Sequence, residues 1–214
     1  MRKPNSPAIL VLLMLLCLAL ASCSTSAPAD SSLRKQENIA SYDGCRPFQS
    51  APTGFGANSM GYALECGRFI GDHDLGIMES ELQGCTTAEM LSHIKDKIES
   101  WMNTYLGASN YSQIADYYSD IDDDCFRVVL RVGFVDGNNN GVYDRNELYD
   151  YHWMYETNEF DGGWAVKYGA KASKRIPGSR YDDPALYLDW QSEDIVYDSA
   201  PVYYSVKNVR TVSW

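Results

Sequence analysis

Positive charge is scarce in this chain. Eighteen Lys and Arg stand against 29 Asp and Glu, a net charge of −11 at pH 7. A surface this acidic does not gather polyanions, which argues against nucleic acid or anionic lipid headgroups as electrostatic partners. Histidine is also rare: His73, His93 and His152 are far apart in sequence and form no local metal motif. No C-x₂-C pair occurs, which speaks against a tetrahedral zinc site. Long apolar runs are missing too. The most apolar stretch, residues 8–20, falls short of the roughly 20 residues that a membrane-crossing helix takes. No internal repeat is present, so a solenoid or propeller is not expected.

What residues 8–20 do fit is a signal segment. Arg2 and Lys3 precede the apolar run, and Leu20-Ala21-Ser22-Cys23 closes it. That tetrad resembles the lipobox of bacterial lipoproteins, which implies cleavage after residue 22 and lipidation of Cys23. Ordinary cleavage after Ala19-Leu20-Ala21 is the competing reading. Ser24, rather than Asp, follows Cys23, and by the same resemblance the outer membrane is the expected destination. Residues 23–40 are small and polar, the composition of a flexible tether. Residues 41–214 are then expected to be a single globular domain. After cleavage 192 of the 214 residues remain, with 16 basic against 29 acidic side chains. That length is enough for one real core.

Four cysteines are left for that domain: Cys45, Cys66, Cys85 and Cys125. An even number in an oxidising compartment predicts two disulfides, for which three pairings exist. The expected pairing is Cys45–Cys66 with Cys85–Cys125.

Apolar periodicity predicts an α+β fold: one long amphipathic helix and an antiparallel β meander. Thr86 and Glu89 spell a capping box. It opens a helix over about 87–106, with Met90, Leu91, Ile94, Ile98, Trp101, Met102 and Tyr105 on one face. A strand is read through Met60–Cys66, and a short helix through Tyr111–Ile121. Phe126, Val128, Leu130, Val132 and Phe134 alternate as in a strand with one buried face, and so do Tyr149, Tyr151, Trp153 and Tyr155. Asp161-Gly162-Gly163 reads as a hairpin turn, followed by strand-like runs at 164–170, 185–190 and 201–206.

Between the two clearest strands lies Asp136-Gly-Asn-Asn-Asn-Gly-Val-Tyr-Asp-Arg-Asn-Glu147. It matches the calcium loop of an EF-hand, because calcium takes six to eight oxygens and a single loop must aim alternate residues inward. Side-chain oxygens come from Asp136, Asn138, Asn140, Asp144 and Glu147, and the backbone carbonyl of Val142 completes the set. Gly141 falls where the chain turns sharply. Ca²⁺ is the expected cofactor, with a dissociation constant on the order of 10⁻⁵ to 10⁻³ M, since only three of the ligands are carboxylates. The stretch from Val132 to Glu147 resembles the strand-flanked loops of the B-type repeats in bacterial surface adhesins. That resemblance covers under a tenth of the chain and implies a structural ion; the sandwich fold of those repeats is not carried over.

Other constellations are weaker. Asp120, Asp122 and Asp124 have the first three spacings of such a loop but lack its Gly and Glu, and read as an acidic turn. Ala57-Asn58-Ser59-Met60-Gly61 has the outline of a nucleophile elbow without the strand that must precede it. His73 lies between Asp72 and Asp74, which reads as a polar turn. The aromatic stripe 149–155 suits either a buried sheet face or the stacking of a glycan. No catalytic group is assigned and no enzyme is expected. The expectation is a calcium-binding, lipid-anchored envelope protein with a structural or binding role. It would touch the membrane through Cys23, engage a protein or glycan ligand, and bind no nucleic acid. An inhibitor or immunity-type protein that blocks a partner enzyme is the alternative, and a secreted hydrolase using Ser59 or His73 the weakest reading.

Overall fold

The computed structural model describes residues 48–51, 56–157, 163–176, 183–187, 190–192 and 194–208. All lie within one compact unit, Ser32–Trp214. The signal segment, the tether with Cys23, Cys45 and the Asp161-Gly162 turn fall outside the described residues. No described helix is long and apolar enough to cross a membrane.

Mixed helix and antiparallel sheet is the observed class. Helices come first: α1 (Ser59–Ala63), α2 (Asp72–Leu75), α3 (Glu79–Leu82) and α4 (Thr87–Met102), the last passing into a π turn at Asn103–Gly107. Strands follow as β1 (Tyr111–Ile114), β2 (Cys125–Phe134), β3 (Tyr149–Thr157), β4 (Gly163–Val166) and β5 (Lys174–Ile176). Helix α5 (Pro184–Tyr187) precedes β6 (Gln191–Ser192), β7 (Ile195–Val196) and β8 (Val202–Lys207). The sheet runs β1-β8-β2-β3-β4-β5, and the β6–β7 hairpin joins it where Phe134 pairs with Val196. Strands β2 to β5 do form a meander, but β8 returns to lie between β1 and β2.

Strand register decides which side chains share a face. Val128, Leu130 and Val132 pair with Tyr155, Trp153 and Tyr151, and this face packs on Met60, Ile94, Ile98 and Met102 of the helices. The opposite face carries Arg127, Val129, Arg131, His152, Met154 and Glu156, covered by Tyr117, Trp190 and Tyr197. Both faces of the central strands are therefore buried. At the fully buried centre of the second face, Arg127 Nη1 donates to Glu156 Oε2 at 2.9 Å, and Arg127 Nη2 donates to the Ser119 carbonyl at 2.7 Å. A buried ion pair survives only with such extra partners.

Four expectations are corrected here. Residues 59–63 form a helix, because Asn58 Oδ1 accepts from Gly61 N–H at 3.0 Å and caps it. Residues 111–114 form an edge strand, held by β8. Residues 184–187, within the expected run at 185–190, are helical. Neither expected disulfide is seen: Cys85 and Cys125 are free thiols, and Cys66 is a thiol whose Sγ donates to the Leu64 carbonyl at 3.5 Å. Cys85 packs beside Tyr143, beyond the far end of β2, whereas Cys125 begins that strand. Ten residues of strand separate the two ends by about 30 Å, and a disulfide needs α-carbons within about 7 Å.

Candidate metal centre

Strands β2 and β3 are joined by a connection far longer than the usual two to five residues of a hairpin. It closes where Val135 N–H donates to the Leu148 carbonyl at 2.8 Å. Inside that pair, residues 136–147 fold onto themselves through their own oxygens. Asp136 accepts from Asn140 N–H at 3.0 Å and from Gly141 N–H at 2.9 Å. Asn138 Oδ1 accepts from Asn140 N–H, and Asn140 Oδ1 from Val142 N–H, each at 3.0 Å. Glu147 reaches back to both ends: Oε1 accepts from Gly137 N–H at 2.7 Å and Oε2 from Asp144 N–H at 2.9 Å. The turn itself needs left-handed backbone at Asn139 (φ 58°) and Gly141 (φ 78°), which Asn and Gly adopt at least cost.

These bonds order the five side chains within the loop, although the oxygens of Asp136, Asp144 and Glu147 do not all lie within 4.8 Å of one another. The amide nitrogens of Asn138 and Asn140 both donate to Asp144 Oδ2, at 2.7 and 2.9 Å. Two amide dipoles thus turn their positive ends on one carboxylate oxygen, the place a cation would take. Each amide oxygen spends one lone pair on a backbone N–H and keeps the other. The donor set is oxygen only, with three carboxylates and no sulfur or imidazole. That chemistry fits a hard divalent ion, calcium above all. Asp136, Asn138, Asn140, Asp144 and Glu147 would hold it, with the Val142 carbonyl. All of the expected ligands are exposed or half-buried, so an ion can enter.

Tyr143, which the ligand pattern leaves aside, is the loop's anchor. It is buried amid a polar run, with its ring edge-on to Phe134 and Tyr149 at 6.0 and 5.2 Å. Its phenol donates to Glu79 Oε1 at 3.3 Å and is pushed up to about 12 by burial and that carboxylate. The only hint in the sequence was an aromatic residue among Asn, Asp and Gly.

The remaining candidates resolve into structural roles. Asp122 and Asp124 come together with Cys125, their ligand atoms within 4.8 Å of one another; Asp120 is not among them. Cys125 Sγ donates to Asp124 Oδ1 at 3.4 Å, and burial pushes the thiol up, away from the thiolate a metal needs. The carboxylates beside His73 are used elsewhere. Tyr149 donates to Asp72 at 2.5 Å, while Asp74 accepts from Gly71 N–H at 3.0 Å and pairs with Arg68 at 2.9 Å. Ser59 is buried at the start of α1, and no strand precedes it among the described residues. Tyr151, Trp153 and Tyr155 are buried under the helices, so this stripe is core and offers no stacking surface.

No family model, curated protein or solved structure matches this chain. What it does rests on its own geometry.

Proposed function

We propose that this chain is a non-enzymatic, calcium-binding protein of the bacterial cell envelope, held to the membrane by lipid on Cys23. Calcium in the 136–147 loop plays a structural part: it fixes the long β2–β3 connection. The observation that supports this best is the hydrogen-bond web that ties side chains 136, 138, 140, 144 and 147 into the loop, each bonded to a backbone N–H or to a neighbouring ligand. The lipobox resemblance supplies the anchor and the outer membrane as its place. The same reading retains α4 as the amphipathic helix of the fold.

Binding to the native state stabilises by mass action. At one hundred times the dissociation constant the gain is about 2.7 kcal/mol. For a chain of this length that raises Tm by roughly 5–10 °C. A melting curve in millimolar CaCl₂ against EGTA reads it. Coincident curves, together with no heat on calorimetric titration with Ca²⁺, would overturn the reading.

A further inference from the structure

The calcium loop does not stand alone on its hairpin. Its eighth residue, Tyr143, makes a reciprocal backbone pair with the junction between α3 and α4. Gly84 N–H donates to the Tyr143 carbonyl, and Tyr143 N–H donates to the Cys85 carbonyl, both at 2.8 Å. The phenol reaches Glu79 at the start of α3. Thr86, next in the chain after Cys85, caps α4, and α4 carries the buried Met90, Ile94, Ile98 and Met102 onto the sheet. A short path of bonds therefore runs from the ion's ligands to the principal helix. Val142 would lend its carbonyl to the ion, Tyr143 is its neighbour, and Asp144 is the next ligand.

We propose that Tyr143 couples occupancy of the loop to docking of the α3–α4 junction, so that calcium clamps the helical layer as well as the hairpin. This rests on the calcium reading above. An ordered ligand on either side fixes the Tyr143 backbone, and a fixed Tyr143 presents its N–H and C=O to residues 84 and 85 without further loss of entropy. Without the ion, the ligand side chains on either side of Tyr143 are held by solvent-facing bonds, and the pair with the junction opens more often. Coupling of this kind is reciprocal, so loosening the junction must weaken the ion.

Amide exchange followed by NMR, in EGTA and in saturating CaCl₂, tests this alongside calorimetric titration with Ca²⁺. The amides of Gly84 and Tyr143 are expected to exchange about tenfold more slowly with calcium. Lys207 N–H, bonded to the Asn110 carbonyl at the other end of β2, serves as the distant reference and should slow less. Gly84 has a φ of +75° and open space around it, so Gly84→Ala strains only the junction backbone. That variant is expected to bind Ca²⁺ about three- to tenfold more weakly. Absence of heat overturns the calcium reading itself. Heat with no slowing at Gly84 and Tyr143, or with equal slowing at Lys207, overturns the coupling and leaves the calcium reading intact. Unchanged affinity in a folded Gly84→Ala variant also overturns it. Should that variant not fold, the exchange measurement on the natural chain decides.

Discussion

His152 is stacked between Tyr168 and Tyr197, with ring centroids 4.4 and 5.0 Å away, and Nε2 has no hydrogen-bond partner among the described residues. Burial, with a smaller contribution from Lys174, lowers its pKa from 6.5 to about 3. The folded imidazole therefore stays neutral while the unfolded one takes a proton below pH 6.5. Its contribution to stability is complete above pH 6.5 and is lost as pH falls towards 3, with a slope of at most about 1.4 kcal/mol per pH unit. Asp150, raised by burial, acts in the opposite direction. Denaturant unfolding of the natural chain and of His152→Phe, compared at pH 7 and pH 5, isolates the histidine. The variant should lose less stability on acidification, and parallel losses would refute the assignment. Arg127 is the second residue on this face with a sharp expectation. Arg127→Met leaves Glu156 charged and buried, a loss of about 3–5 kcal/mol, and Arg127→Met with Glu156→Leu should recover most of it. Urea unfolding reads both.

Among the elements, the β2–β3 hairpin and α4 behave differently. The hairpin has a strong apolar ladder but a poor connection, since a long polar loop loses much entropy on ordering. Glu147 is the one ligand that touches both ends of that loop, through Gly137 and Asp144. Glu147→Gln removes a negative charge and is expected to weaken Ca²⁺ at least about tenfold, with most of the calcium-dependent rise in Tm lost; calorimetry and melting check it. Helix α4 owes its start to local chemistry: Thr86 N–H and Oγ1 both donate to Glu89 Oε2 at 2.8 Å, and Thr86 Oγ1 accepts from Glu89 N–H. Thr86→Ala should cost about 1 kcal/mol. The expected helix to residue 106 instead gives up α-helical bonding after Met102 and passes into the π turn. Periodicity of apolar residues continues through that turn and cannot announce the change in bonding.

Taken whole, the chain handles its excess of acid by giving carboxylates phenol partners. Asp72 pairs with Tyr149, Glu79 with Tyr143, Glu99 with Tyr204, Asp150 with Tyr197 and Asp183 with Tyr203. Each phenol is pushed up, chiefly by burial and then by its carboxylate, so the proton stays on the tyrosine. Through Tyr149, Tyr203 and Tyr204, three of these pairs tie an acidic helix or loop to the sheet without a cation. Cysteine chemistry belongs to the same level. With Cys66, Cys85 and Cys125 all present as thiols, alkylation of the chain in denaturant without reductant should label all three positions. Peptide mass mapping before and after reduction decides, and a label that enters any of the three only after reduction would refute the assignment.

Sequence alone determined the things that depend on spacing along the chain. Alternation at 126–134 and 149–155 marked two strands, Thr86 and Glu89 marked a helix start, and the twelve residues from Asp136 spelled an oxygen-rich turn. Each follows from geometry local to a few bonds. Tertiary structure alone decided the rest. The place of β8 between β1 and β2, the burial of both sheet faces, the separation of Cys85 from Cys125, and the seat of Tyr143 on the α3–α4 junction all depend on residues distant in sequence. Periodicity says that a side chain is to be buried; only the packed chain determines what buries it, because many partners satisfy the same apolar face and only one arrangement satisfies all of them together.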